Sequence, residues 1–147
     1  MRRVTQGVAL NIVLGLVLLL AGTSAHAGET PAPAGAKVYF INIKDGDTVS
    51  SPVTIRFGLS GMGVAPAGTQ VENTGHHHLI IDDTIEGAAL DEAIPMDERH
   101  LHFGKGQTEA SVTLPKGKHT LQLVLGDWTH IPHKPPVMSE RITVNVE

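Results

Sequence analysis

Apolar side chains return at every second position along most of this chain, and that period of two restricts it to β-structure more firmly than any other feature. Val53, Ile55, Phe57 and Leu59 alternate with Thr54, Arg56, Gly58 and Ser60. The same pattern recurs at Ala110, Val112 and Leu114, at Leu121, Leu123 and Leu125, and at Ile142, Val144 and Val146. On a strand, each series lines one face and buries one row of side chains. Residues 38–43 (VYFINI) and 79–81 (LII) are apolar on both faces, which fits central strands. Lys44-Asp45-Gly46-Asp47 and Pro115-Lys116-Gly117 supply the Asp, Gly and Pro that tight reversals use. Only residues 84–99 have room for a helical turn, limited by Gly87 and Pro95, and they read as an acidic surface connection. The Gly-Pro-Ala stretch at 61–68 reads as a long loop. About seven short strands separated by turns predict an all-β fold, a single immunoglobulin-like antiparallel β-sandwich, with a closed barrel as the alternative.

The N-terminus has the pattern of an export signal. Arg2 and Arg3 precede an apolar run from Val8 to Ala21, and Ala25-His26-Ala27 offers small residues at the positions that define a cut. The run holds about 14 residues, whereas a membrane-spanning helix wants roughly 20. The expected organisation is therefore a signal peptide over 1–27, a flexible leader over 28–36 rich in Pro, Gly and Ala, and one β-sandwich domain over 37–147. The mature protein is expected in the periplasm or secreted, without a stable membrane span. A cut after Ala25 instead would make His26 the N-terminal residue, whose amine and imidazole together clamp copper. Loss of Arg2 and Arg3 leaves 15 acidic against nine basic residues, a formal charge of −6. That balance argues against nucleic-acid binding.

Export also makes the absence of cysteine informative. Without disulfides, packing, alone or with a metal, must hold the domain together, and thiolate chemistry is excluded. Histidine is the remaining reactive residue. Eight of the nine histidines follow Ala27, grouped as His76-His77-His78, His100-x-His102, His119 and His130-x-x-His133. Neutral imidazole is a common ligand that suits zinc and copper. On a strand, His76 and His78 share a face opposite His77, and His100 and His102 share the face opposite Leu101 and Phe103, about 7 Å apart. The candidate metal ligands are His76, His78, His100, His102, His130 and His133, and the expected ion is copper(II) or zinc. Copper(I) prefers thiolates or clustered thioethers, and Met62, Met96 and Met138 are scattered. His119 lies in register with Leu121 and reads as a hydrogen-bonded histidine at the core edge. Trp128 reads as a cap on one end of the sandwich. The plainer account of these groups is a polar surface of imidazoles paired with carboxylates such as Asp82, Asp83, Asp97 and Asp127. It leaves a metal-free structural or interaction module, whose partner is an envelope protein.

Enzymatic signals are weak. There is no Gly-x-Ser-x-Gly elbow, and Gly61-Met62-Gly63 lacks the strand-to-helix setting of a nucleotide loop. The segment HLHFG resembles the His-x-His strand of copper-zinc superoxide dismutases, but its surroundings do not match and their disulfide is impossible here. The chain is read as a non-enzyme, with a superoxide-dismutase-like activity as the minor alternative.

The segments VYFINIKDGDTVSSPVTIRFGLSGM (38–62), HHHLIIDD (76–83), HLHFGKGQTE (100–109) and LPKGKHTLQLVLGDWTHIPHKPPVMSERITV (114–144) resemble the bacterial domain-of-unknown-function family 4399. The resemblance spans nearly the whole mature chain. It implies an exported bacterial domain and brings neither an activity nor assigned catalytic residues.

Overall fold

The computed structural model describes residues 30–147. Its strands are β1 (Lys37–Phe40), β2 (Thr48–Val49), β3 (Val53–Ser60), β4 (Gly63–Val64), β5 (Thr74–Ile81), β6 (His100–His102), β7 (Glu109–Val112), β8 (Gly117–Gly126) and β9 (Ile142–Val146). They form a three-stranded sheet, β1-β3-β7, and a six-stranded sheet, β2-β9-β8-β5-β4, in which β6 also pairs with β5. The fold is all-β and built as two layers. All pairings between longer strands are antiparallel, as expected; β2–β9 and β4–β5, two residues each, are parallel.

The alternating rows place the core between the sheets. Ile55 and Phe57 from the small sheet meet Leu79, Leu121, Leu123, Leu125 and Val144 from the large one. Their partners in the alternation, Thr54 and Arg56, face solvent. Each buried Leu or Ile contributes about 1.5–3 kcal/mol relative to exposure, so this row of side chains supplies much of the driving force.

Three expectations need correction. Residues 38–43 do not form a central strand: β1 is an edge strand, with Tyr39 46% and Ile41 58% exposed. Pairing gives way where the Asn42 side chain takes over the backbone of β3, accepting from Arg56 N–H at 2.8 Å and donating to Thr54 C=O at 2.7 Å. Within 28–36, residues 30–32 are tied to the loop after β8 rather than left as a free leader. Ala32 N–H donates to Lys134 C=O, Lys134 N–H to Thr30 C=O, and the Thr30 hydroxyl to Asp127 at 2.6 Å. Finally, segment 84–99 does hold a short helical turn, a 3-10 turn at Gly87–Asp91, but it is more than a surface connection. Its Ile85 and Ile94 are buried on Ile80 and Val124, forming a second small core on the outer face of the large sheet. The proposed signal segment and His26 lie outside the described residues. Among the described residues no helix is long and apolar enough to cross a membrane.

Candidate metal centre

The strand β5 is buried on both faces, and its period of two divides the histidine triplet. His77, Leu79 and Ile81 point between the sheets, where the His77 ring lies 5.2 Å from that of Phe57. His76, His78 and Ile80 point to the outer face. There Ile80 joins the second core, and the two imidazoles occupy the neighbouring stretch of the same surface.

Register brings the other ligands to them. His78 pairs with His102 on β6 and with Val124 on β8, while His76 pairs with Gly126. The loop leaving β8 then folds back and adds His130. The ring centroids of His76 lie 4.8 Å from His78, 5.0 Å from His102 and 5.1 Å from His130. Those of His102 lie 5.1 Å from His78 and 4.8 Å from His130, and the widest pair, His78 and His130, is 6.2 Å apart. His76, His102 and His130 each present a nitrogen within 4.8 Å of the other two. The His78 ring packs beside this trio, close to His76 and His102 and farther from His130.

Two glycines make room for these rings. A Cβ on Gly126 would stand 2.7 Å from Cε1 of His78, and one on Gly104 would collide with the imidazole of His102. Any larger residue at either position displaces a ring.

The loop that carries His130 is organised by Asp127, whose side chain is fully buried. Its Oδ1 accepts from the backbone N–H of Thr129 at 2.7 Å and of Ile131 at 3.1 Å, and from the Thr129 hydroxyl at 2.7 Å. Its Oδ2 accepts from the Thr30 hydroxyl. These charge-assisted bonds hold the carboxyl below its usual range against the opposing effect of burial. They also fix His130 at φ +74°, a backbone conformation that costs a non-glycine residue about 1–2 kcal/mol. The His130 carbonyl accepts from Ile94 N–H, which ties the loop to the covering segment.

Three of the imidazoles, His76, His78 and His102, are neutral at pH 7. Burial lowers His76 to about 4, aided by the facing imidazoles of His102 and His130 and opposed by Asp127. Burial lowers His78 further, to about 2, again with the neighbouring imidazoles acting in the same sense. His102 is also lowered by burial and by His130. Both ring nitrogens of His76 and His78 and Nε2 of His102 are buried without a hydrogen-bond partner. Such groups each cost about 1–3 kcal/mol when left unsatisfied, and a bound metal ion would satisfy one nitrogen of each imidazole it joined.

Of the six sequence-predicted ligands, the fold thus gathers His76, His78, His102 and His130. It does not gather His100 and His133. His100 is on the same strand face as His102 but stands opposite Ile80, and its Nδ1 bonds Asp97 at 2.8 Å. His133 turns into the backbone, with Nε2 3.1 Å from Thr74 C=O. His119 is hydrogen-bonded at the core edge as expected, to Asp82 at 2.7 Å and to Pro115 C=O at 2.9 Å. The structural importance of Asp127, Gly104 and Gly126 was not visible in the sequence.

Residues 55–147 match the model of one family, Domain of unknown function (DUF4399). The chain belongs to that family. No curated protein and no solved structure matches it. The DUF4399 match takes in every histidine of the cluster, both glycines that make room for it and Asp127; β1 and the Thr30–Ala32 strap precede it.

Proposed function

We propose that this DUF4399 protein is an exported metal-binding module that holds one copper or zinc ion on His76, His78, His102 and His130, as a carrier or binding protein rather than an enzyme. The observation that carries this reading is the gathering of four imidazole rings in which His76, His102 and His130 bring donor atoms within 4.8 Å of one another, while both ring nitrogens of His76 and His78 and Nε2 of His102 are buried without a partner. Four protein ligands fill a tetrahedral ion's coordination and leave no position for a substrate, which is the pattern of structural and transport sites rather than catalytic ones. The export pattern at 1–27 supports a periplasmic or secreted location, where a cysteine-free, all-imidazole site is chemically suited to an oxidising environment.

The test is metal titration of the purified exported protein together with elemental analysis. One ion per chain is expected, lost in a His76→Ala, His102→Ala double variant that still folds. Failure of the wild-type chain to take up zinc or copper at micromolar concentration would remove the proposal. The intact mass of the exported protein fixes the cut: a chain starting at Gly28 supports loss of residues 1–27. The alternative, a metal-free envelope module, draws on the free edge of β1 with its exposed Tyr39 and Ile41. It predicts a periplasmic crosslink from position 39 or 41 and no stoichiometric metal.

A further inference from the structure

The shape of the cluster distinguishes between ions that its ligand type admits. Resting on the proposed metal site, we infer that the cluster selects tetrahedral closed-shell ions, zinc(II) and copper(I), and disfavours copper(II). The sequence alone favours copper(II) or zinc, because imidazole suits both and the methionines are scattered. Geometry alters that ranking.

An ion bound to an imidazole nitrogen at about 2.0–2.1 Å sits about 3.2 Å from the ring centroid. Four rings placed tetrahedrally then have all six centroid separations near about 5.2 Å. A square plane, which copper(II) favours, requires four separations of about 4.5 Å and two diagonals of about 6.4 Å that share no ring. Five of the six observed separations fall between 4.8 and 5.1 Å. The one long separation, His78 to His130 at 6.2 Å, would be one diagonal. Its complement, His76 to His102, would have to be the other, and it is 5.0 Å. The four ring centroids form a tetrahedron widened along one edge.

Flattening it would require His76 and His102 to separate, and both are on paired strands. His76 is set by the β5–β8 register opposite Gly126, and His102 by the β5–β6 register opposite His78. The backbone at Gly104 closes one side of the His102 ring and that at Gly126 closes one side of His78. Only His130 is on a loop. Its movement alone changes one diagonal and leaves the other short.

The donor set favours copper(I) over copper(II) and does not separate the two divalent ions. Asp127, buried beside the cluster, has both oxygens engaged by Thr30, Thr129 and Ile131 and so offers no anionic ligand to a divalent ion. Copper(I) brings one charge fewer and, like zinc(II), has a filled d shell without a preference for a plane. Copper(II) normally exceeds zinc(II) at an unconstrained nitrogen site. Here that order is expected to collapse.

The experiment compares three ions on the metal-free full-length mature protein, each against a chelator of known affinity. These are zinc(II), copper(II), and copper(I) kept reduced without oxygen. Zinc(II) is expected to bind at least as tightly as copper(II), and copper(I) at least tenfold more tightly than copper(II). Any copper(II) forced into the site should give the small parallel hyperfine splitting of a distorted tetrahedron in its electron paramagnetic resonance spectrum. A hundredfold preference for copper(II) over zinc(II), with a tetragonal spectrum, would overturn the inference while leaving the metal-binding reading intact. Absence of binding by all three ions would overturn both. Direct competition between zinc(II) and copper(I) decides which of the two the site prefers.

Discussion

His78 and His102 face each other across the antiparallel β5–β6 pair, with ring centroids 5.1 Å apart. Two residues away on the same strand face, His100 instead bonds Asp97 at 2.8 Å. The His-x-His motif therefore separates into one residue in the cluster and one outside it. His102→Ala is expected to weaken zinc binding by about 100-fold or more, the scale of losing a first ligand, whereas His100→Ala should change it by less than about threefold. Competition titration checks this. Equal losses in the two variants would mean that His100 swings into the site when an ion arrives.

Asp127 is the acceptor on which the geometry of the His130 loop depends. Replacing it with Ala leaves two backbone N–H groups and two hydroxyls without their shared partner, and charge-assisted bonds of this kind are each worth about 1.5–3 kcal/mol. The expected result is a loss of about 2–4 kcal/mol in stability and, in the fraction that folds, a metal site reduced to three imidazoles. Thr30→Val removes only the bond from the N-terminal strap, so it should cost about 1 kcal/mol and speed metal release. X-ray absorption counts the nitrogens bound to zinc, and stopped-flow chelation times the release. An unaltered coordination number in Asp127→Ala would show that the loop keeps His130 in place by other means.

The period of two made the sandwich, its core rows and the opposite facing of His77 legible before any coordinates. It did not reveal which histidines converge, because convergence depends on register. His78 stands opposite His102 rather than His100 only because β6 pairs with β5 at that offset, and nothing within either segment records the offset. His130 and His133 look equivalent in a stiff, proline-bounded loop, and they are separated by the Asx-type turn that Asp127 closes. The apolar reading of 38–43 failed for a related reason. A strand buried on both faces and an edge strand with exposed Tyr39 and Ile41 have the same local pattern.

Acid should destabilise the metal-free protein well before its carboxylates are protonated. His76 and His77 are lowered to about 4 and His78 to about 2 from 6.5, so the unfolded chain binds these protons first as pH falls. Stability from keeping them neutral is complete above pH 6.5 and declines as pH falls, down to about 4 for His76 and His77 and about 2 for His78. His119, raised by its hydrogen bond to Asp82, works in the opposite sense: its contribution is full below 6.5 and is lost as pH rises through its folded value. Asp82 and Asp127 are lowered, so their contributions disappear only below about pH 4. The net slope between pH 6 and 4.5 is about two to three protons, or about 3–4 kcal/mol per pH unit. Circular dichroism against pH should show apo unfolding near pH 5, and saturating zinc should shift that midpoint to lower pH. A stability profile flat from pH 6.5 to 4.5 would contradict the burial of these imidazoles.

His77 gives the sharpest separation between the triplet as a sequence motif and the triplet as a site. It points away from the other two, both of its ring nitrogens are buried without a hydrogen-bond partner, and it lies against the Phe57 ring, which in turn packs on Phe103 in the main core. Burial holds it near 4, with only a backbone interaction at Gln107 opposing that effect. Leu fits the same space with similar volume and carries no polar atoms. Because an unsatisfied buried polar group costs about 1–3 kcal/mol, His77→Leu is expected to match or exceed the wild-type stability at pH 7. Its advantage should grow as pH falls, since one of the protons that drive acid unfolding has been removed. Zinc affinity should stay within about threefold, because the ring contributes nothing to the outer face. Thermal unfolding at pH 7 and pH 5.5, with and without zinc, measures all three effects. A large loss of zinc binding in this variant would place His77 in the site and require β5 to present its other face.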